Sequence, residues 1–259
     1  MGIIPSHLSQ VNDIMVDMGK RGESNIPVSE SPFFDPKLKL QELRRKNNKN
    51  VIISHININS IRKKFDNLKH IISGSVDILL ISETKIDSSF PSKQFILDGY
   101  SLPYRFDRTE NGDKGGGLLL FVRKDIPSKA LKTNFSKEGI FIEINFKKCK
   151  WLLFGGYNPH KDYIKDFLLE IQRELDNLMT SYENFILMGD FNSEITEYFM
   201  EDFCNMYNLQ NLIKDRTCYK NPENPSSIDL ILTNKRNSFK HSNTIETGIS
   251  DCHLMTTRS

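Results

Sequence analysis

The chain has 259 residues, of which 38% are hydrophobic and 26% charged, and a formal net charge of +2. This composition is close to the globular average and suits one large α/β domain or two small ones. The four cysteines form no CxxC pair, which excludes the common zinc and redox motifs, and no apolar run is long enough to cross a membrane. With no signal-peptide pattern at the start, we expect an intracellular protein, nuclear or cytoplasmic, that is not secreted.

The first 49 residues differ from the rest. They are rich in Ser, Pro and Asn, lack a sustained apolar period, and end in a basic tract over residues 37–49. We predict a flexible basic leader over 1–49 and a folded domain over 50–259. The tract is interpreted as a solvated linker, with a DNA-backbone contact or a localisation signal as the alternative.

Short apolar runs alternate with helical periods from residue 51 onward. Strands are predicted over 51–56, 76–81, 117–122, 140–145, 151–155, 185–188, 228–232 and 253–256, and helices over 61–72, 167–178 and 196–208. The run 140–145 pairs with 151–155 as a hairpin, and Gly115–Gly117 form a bend that leads into a strand. Many short strands with interspersed helices predict a layered α/β domain.

Polar residues recur directly after these apolar runs. The residues concerned are Asn57, Asn59, Glu83, Tyr157, Asn158, Asp190, Asn192, Asp251 and His253. Strand ends are where a rigid scaffold presents chemistry, and carboxylate and amide oxygens are the ligands that Mg²⁺ prefers. If these ends converge, the set suits phosphodiester hydrolysis, in which a metal stabilises the leaving alkoxide and a carboxylate deprotonates water.

Each of these residues also has an ordinary structural interpretation. A carboxylate at a strand end commonly caps a turn, Asn57 suits an Asx-turn, and Gly189-Asp190-Phe191-Asn192 by itself suits a turn. The functional interpretation therefore depends on the order and spacing of the whole set.

That order resembles the endonuclease/exonuclease/phosphatase superfamily, which includes pancreatic deoxyribonuclease, apurinic/apyrimidinic repair endonucleases and the endonuclease domains of LINE-type retrotransposons. The segments that carry the resemblance are 55–61, 81–85, 157–159, 189–192, 227–232 and 250–253. The resemblance implies an α/β four-layer sandwich in which two facing mixed β-sheets are flanked by helices, as in deoxyribonuclease.

The resemblance also implies roles for single residues. Glu83, Asn57 and Asp251 would hold Mg²⁺, with Mn²⁺ as an alternative ion, and Asp190 would orient or deprotonate the attacking water. The residues expected around the scissile phosphate or the DNA are Asn192, Tyr157, His253, Asp229, Thr217 and Asn59. Within this set Asp229 would fix the tautomer of His253.

The sequence departs from the family pattern at one point. The family has His directly after the last Asp, whereas this chain has Asp251-Cys252-His253. Since neighbouring strand residues point to opposite faces, a local bulge is needed to bring His253 into the site. With the bulge, His253→Ala abolishes activity and Cys252→Ala is mild. Without it, Cys252 occupies the histidine position and activity is impaired.

Finer features resemble the retrotransposon versions, namely residues 60–65, 115–118 and 228–234. Trp151, the only Trp, is expected inside a strand, which disfavours the aromatic abasic-sugar pocket of repair enzymes. We expect DNA as the substrate, nicked to leave a 3′-hydroxyl, and a reverse transcriptase domain outside this chain as a partner. The alternatives are a degenerate module that binds DNA or protein, and a superfamily enzyme that acts on lipid or RNA.

Overall fold

The computed structural model describes residues 35–108, 115–146 and 148–259. Within them, four α-helices lie at Pro36–Lys46 (α1), Phe65–Ile72 (α2), Ile164–Leu178 (α3) and Tyr198–Met206 (α4). Short 3₁₀ turns lie at Ser92–Gln94, Lys161–Tyr163 and Arg236–Ser238. None of the described helices is long and apolar enough to cross a membrane.

The described strands form two six-stranded sheets. The first has the order β11 (His241–Ile245), β12 (Leu254–Arg258), β1 (Ile52–Asn57), β2 (Ile78–Ser82), β4 (Leu118–Val122), β3 (Tyr104–Phe106). The second has the order β5 (Ser128–Ala130), β6 (Gly139–Phe146), β7 (Cys149–Tyr157), β8 (Phe185–Asp190), β10 (Asp229–Thr233), β9 (Gln210–Asn211). Each sheet contains one parallel pair, β1 with β2 and β7 with β8, and is otherwise antiparallel, so both sheets are mixed.

Three apolar layers hold the sheets and helices together. Strand β2 contributes to two of these layers. Its residues Ile78 and Leu80 enter the core between the two sheets, while Leu79 and Ile81 pack toward α1 and α2. Alternate residues of a strand point to opposite faces, so a strand covered on both sides must be apolar throughout. On the outer face of the second sheet, α3 and α4 cover the third layer. The four-layer α/β sandwich predicted from the sequence is confirmed.

The two parallel pairs end at the same place. In the first sheet Asn57 lies opposite Ser82, and in the second Tyr157 lies opposite Asp190. Because parallel strands run in one direction, the polar residues that follow them gather at one edge of each sheet. Side-chain hydrogen bonds from Asn57 to Asp190 and from Tyr157 to Glu83 join these edges.

The structure differs from the prediction at the start of the domain. Part of the expected leader, residues 36–46, forms α1 instead, and the compact unit begins at Asp35. The Asp35 side chain accepts from the Lys37 amide and Pro36 occupies the first turn, a strong helix start, while Leu40 is fully buried. The rest of the predicted leader, residues 1–34, lies outside the described part of the chain.

Candidate active site

The centre of the site is the amide of Asn57, which bridges carboxylates from both sheets. Its Nδ2 atom donates to Glu83 Oε1 and to Asp190 Oδ2, each at 2.8 Å. Its Oδ1 atom accepts from the Asn59 backbone amide at 3.1 Å. Glu83, Asp190 and Asn57 are buried, and burial makes these bonds stronger than they would be in water.

Tyr157 adds a hydroxyl from the second sheet. Its Oη atom donates to Glu83 Oε1 at 3.2 Å, and the Arg108 guanidinium lies over its ring, 5.3 Å from the ring centroid. Arg108 also pairs with Glu138, which accepts from the Gly117 amide at 2.7 Å. The glycine bend that leads into β4 therefore helps to fix Glu138 and Arg108, and Arg108 in turn contacts the ring of Tyr157.

The backbone around the two carboxylates is unusual. Glu83 and Asn192 adopt left-handed conformations, with φ of 52° and 49°. Gly189 has φ of 145°, and a Cβ atom there would lie 1.9 Å from the Gly156 carbonyl oxygen, so only glycine fits. Strained residues of this kind concentrate at functional sites, where the surrounding structure must stabilise them.

Asn192 is held by two further bonds. Its backbone amide donates to Asp190 Oδ1 at 2.9 Å, and its side-chain amide donates to the Asn158 carbonyl at 2.7 Å. Asn158 itself is buried and bonds the Phe191 carbonyl at 2.9 Å. The second sheet therefore fixes Asn192 beside Asp190, partly exposed toward solvent.

The two central carboxyls have opposite electrostatic environments. Burial opposes ionisation of Glu83, but the Asn57 hydrogen bond and the charges of Lys220 and Lys85 outweigh it, so its pKa lies below its ordinary value. For Asp190, burial dominates over its hydrogen bonds and raises the pKa to about 7. Glu83 is thus the more acidic of the two carboxyls, and Asp190 is poised to exchange a proton near neutrality.

Three lysines surround this cluster, and the sequence patterns did not single them out. Lys85 Nζ lies 3.4 Å from Glu83 Oε2 and donates to Asn59 Oδ1 at 2.5 Å, and Lys64 Nζ donates to the Ile58 carbonyl at 2.7 Å. Burial lowers the pKa of Lys220, but the charges of Glu83 and other anionic groups outweigh it and raise the pKa. Lysines are common on any surface, so their spacing in the sequence carried no signal.

Asp229 lies beside Asp190 but is bonded to other partners. Thr217 Oγ1 donates to Asp229 Oδ2 at 2.9 Å, and Asp229 Oδ1 lies 3.7 Å from Nδ1 of the fully buried His55. Burial, together with the charge of Asp190, raises the pKa of Asp229 well above its ordinary value. Thr217, expected to contact the DNA backbone, is instead buried and positions Asp229.

Cys252 directly follows Asp251, where the resemblance to the family implies a histidine. Its side chain is 1% exposed. The Cys218 thiol and burial raise the pKa of Cys252 most, and the charges of Asp229 and Asp190 raise it further. His253 is partly exposed and stacks on Tyr219, with ring centroids 4.2 Å apart and planes 17° apart. The expected pair of Asp229 with His253 is therefore not formed. Cys252 directly faces Cys218 in a regular antiparallel bridge, so the His253 side chain points to the opposite face from Cys252.

Two other predicted residues lie at the rim. Asp251 is exposed and lies near Lys64. Burial lowers the pKa of the Lys64 ammonium, and the negative charges of Asp251 and Glu83 partly oppose that lowering. Asn59 is exposed and held by Lys85. Each of the two residues therefore lies beside one of the lysines near Glu83, Asp251 beside Lys64 and Asn59 beside Lys85.

The donor set fits Mg²⁺ better than a zinc-type ion. Among the described residues, no three His, Cys, Asp or Glu side chains surround a common ion position. Mg²⁺ keeps several waters and typically takes one or two protein carboxylates with substrate phosphates, so a complete protein cage is not required. The Glu83 carboxylate, whose pKa is lowered, supplies one such ligand, while the Asn57 amide turns its nitrogen toward Glu83 and its oxygen toward the Asn59 backbone amide.

Solved structures with this fold include several DNA-processing proteins. They include the endonuclease domain of TRAS1, a telomere-specific non-LTR retrotransposon (15% identity, TM-score 0.62, covering 81% of this chain and 97% of that one). The Xenopus laevis APE2 catalytic domain has 18% identity, a TM-score of 0.64 and coverage of 80% and 91%. The AP endonuclease LMAP from Leishmania major has 13% identity, a TM-score of 0.66 and coverage of 82% and 88%. At these identities the likeness establishes the fold alone.

A match in sequence identifies the family. No curated protein sequence matches this chain. Residues 55–251, a range that begins within β1 and includes all the residues of the site except Cys252 and His253, match the Endonuclease/Exonuclease/phosphatase family. The family match and the shared sandwich agree with the resemblance inferred from the motifs. The chain therefore belongs to the endonuclease/exonuclease/phosphatase family, whose members are hydrolases of phosphodiester bonds.

Proposed function

We propose that this protein is a Mg²⁺-dependent endonuclease that nicks one DNA strand and leaves a 3′-hydroxyl, as the nuclease part of a LINE-type retrotransposon. The observation that carries the proposal is the Asn57 bridge between Glu83 and Asp190, 2.8 Å to each carboxylate, at the joined edges of the two sheets. It brings a permanent anion and a titratable carboxyl within reach of one phosphate group.

The roles follow from the protonation states and positions. Glu83 and Asn57, with Asp251 at the rim, would hold the cation. Bound there, Mg²⁺ would polarise the phosphoryl oxygen and stabilise the leaving alkoxide. Asp190 would accept the proton of the attacking water, for which a pKa of about 7 suits neutral pH. Tyr157 and Asn192 would donate hydrogen bonds to the phosphate, where charge develops in the transition state.

The positive charges around the candidate site support DNA as the substrate. Lys64, Lys85 and Lys220 surround the cluster, and the exposed Lys63 lies on the segment before α2. A local cationic rim attracts a polyanion even when the net charge is near zero. A reverse transcriptase domain would be the partner that uses the 3′-hydroxyl.

The retrotransposon class, as opposed to a repair enzyme, is supported by the aromatic residues. Trp151 lies in β7 with 4% exposure and stacks on Phe146, with ring centroids 4.8 Å apart, inside the core between the sheets. It is therefore not available to recognise a flipped abasic sugar.

A second candidate, a non-catalytic DNA-binding module, is favoured by one observation. Cys252 occupies the position where the family has a histidine next to Asp229, and a thiol with a raised pKa is a poor substitute for an imidazolium. The two candidates share the same fold and the same basic rim, so activity must separate them.

The test is nicking of supercoiled plasmid. We expect relaxation with Mg²⁺, none with EDTA, and none with Glu83→Gln, while the matched control Glu194→Gln stays active because Glu194 pairs with Arg216 outside the cluster. DNA polymerase should extend the nicks directly if they carry 3′-hydroxyls. DNA binding without nicking would support the second candidate, and phosphate release from lipid or RNA instead of DNA would overturn both.

A further inference from the structure

Cys218 and Cys252 face each other across a short antiparallel bridge. The Tyr219 amide donates to the Asp251 carbonyl at 2.9 Å, and the His253 amide donates to the Thr217 carbonyl at 2.8 Å. These two bonds flank the cysteines, so Cys218 and Cys252 form the non-hydrogen-bonded pair of the bridge. In such pairs the side chains of the two residues approach most closely.

The side chains of the two cysteines lie away from solvent. Cys218 and Cys252 are 3% and 1% exposed, and each thiol is close enough to shift the pKa of the other. A non-hydrogen-bonded antiparallel pair has a Cα–Cα distance of about 4.5 Å. The Cα atoms of two disulfide-bonded cysteines are about 4.4–6.8 Å apart, so the backbone need not move for the bond to form.

We propose that Cys218 and Cys252 are a disulfide-forming site, oxidised by a peroxide and reopened by a thiol reductant. In the first step a thiolate sulfur attacks one oxygen of hydrogen peroxide, which yields a sulfenic acid and releases hydroxide. In the second step the partner thiol attacks the sulfenic sulfur, the S–S bond forms, and water leaves. Overall two thiols and one peroxide give one disulfide and two waters.

Local opening gives the oxidant access. The bridge is isolated from both sheets and joins two irregular segments, residues 212–228 and 246–253. Segments with few ladder bonds open at lower free energy than the sheets behind them. A disulfide in a protein kept in a reducing compartment is typically transient and redox-sensing.

The crosslink would tie together two parts of the active-site rim. One segment carries Thr217, which holds Asp229, and the other carries Asp251 and His253. The disulfide closes the chain from residue 218 to residue 252, and a closed loop removes freedom from the unfolded state. The oxidised protein should therefore be more stable to heat, whether or not the protein nicks DNA.

The other two cysteines provide matched controls. Cys149 is exposed at the start of β7, and Cys204 is buried in the apolar layer under α4. Replacing Cys149 by Ser removes the exposed thiol that would join two molecules. Cys204→Ser leaves the facing pair intact.

The experiment is peroxide treatment of Cys149→Ser protein, followed by denaturation, alkylation and mass spectrometry. We expect a monomer lighter by two hydrogens, one alkylated thiol at Cys204, and a crosslinked peptide pair containing Cys218 and Cys252, all reversed by dithiothreitol. Peroxide should raise the melting temperature by roughly 5–10 °C. Adding Cys204→Ser should leave the crosslink in place, whereas adding Cys218→Ser or Cys252→Ser should remove it and the shift.

Two results would overturn the proposal. In one, the peroxide-treated protein keeps its native circular dichroism but forms no crosslink. Its three remaining thiols then either all stay open to alkylation or are overoxidised singly. In the other, the crosslink forms but the melting temperature stays the same or falls, which would mean that the bond does not fit the native backbone. Neither readout uses nicking, so failure here is distinguishable from failure of the proposed function.

Discussion

The two sides of the candidate site are built differently. On one side, the residues at or just after the ends of the parallel strand pairs are joined by direct hydrogen bonds, namely Asn57, Glu83, Tyr157 and Asp190. On the other side, Asp229 accepts a hydrogen bond from Thr217, and His253, which was expected to pair with Asp229, stacks on Tyr219 instead. Strand register positions the first side, whereas on the second side the irregular segments 212–228 and 246–253 position Thr217, Cys252 and His253. A shift of one residue in register turns a side chain to the opposite face, so the positions of Cys252 and His253 depend on how the segment 246–253 pairs with its neighbour.

The largest effect should come from the sheet-built side. Asp190→Asn removes the proposed proton acceptor while its amide keeps an oxygen for the Asn192 backbone bond. We expect Mg²⁺-dependent nicking to fall by about 10³-fold, within the range for loss of a general base. Single-turnover plasmid relaxation measures it, with Asp202→Asn on the exposed side of α4 as the matched control. Equal loss in both variants would mean that the effect is not specific to the site.

The second effect should be a gain on the loop-built side. Cys252→His places an imidazole where the thiol now lies near Asp229 and Asp190. We expect nicking to rise about 10-fold or more, because a carboxylate-paired imidazolium can stabilise transition-state charge. Cys252→Phe fills similar space without a proton donor and should give no gain. An unchanged rate with Cys252→His, in folded protein, would contradict the assignment of the histidine position.

The third effect should be small, and it tests whether Cys252 or His253 takes the place of the family's histidine. His253 stacks on Tyr219 at the surface, and burial lowers its pKa, so it is mostly neutral at neutral pH. We expect His253→Ala to lower nicking by less than about 3-fold, in the range of a lost surface contact. The same plasmid assay measures it. A loss as large as that of Asp190→Asn would show that the loop rearranges on DNA to bring His253 into the site.

The smallest effect concerns stability. The folded-state pKa of Asp229 lies above its ordinary value of 3.8, so ionisation of Asp229 in the fold costs free energy. That cost is absent below about pH 4 and grows as the pH rises toward the folded pKa. With EDTA at about pH 8, Asp229→Asn should melt roughly 2–4 °C higher. The gain should vanish at about pH 4, and the exposed Asp98→Asn should show none. A gain independent of pH would contradict the electrostatic explanation.

The sequence predicted the sheet-built side well for a physical reason. Apolar runs such as 76–81 and 185–188 become strands because both faces are buried, and the residue after each run must then lie at a strand end. The pattern of apolar runs therefore suffices to place Glu83 and Asp190 at strand ends. The hairpin of β6 with β7 and the helices α2, α3 and α4 also follow the predicted pattern.

Other elements could not be predicted in the same way. Helix α1 is highly charged, and its single fully buried residue, Leu40, leaves almost no periodic signal. Strands β3, β5 and β9 have two or three residues each, too short for a period. The facing of Cys218 and Cys252 depends on loop geometry 34 positions apart in the sequence, which local propensity does not encode. The approach of Lys220 to Glu83 depends on the same loop geometry.

One metal position underlies the proposed chemistry, in which Glu83, Asn57 and Asp251 hold a divalent cation at the joined edges of the two sheets. Crystals of the protein soaked with Mn²⁺ test this position through the anomalous scattering of the ion. We predict one peak in direct contact with the Glu83 carboxylate, lost in Glu83→Gln crystals and retained in Glu194→Gln crystals. No peak at Glu83 under saturating Mn²⁺, or a peak elsewhere that Glu83→Gln leaves in place, would contradict the metal site.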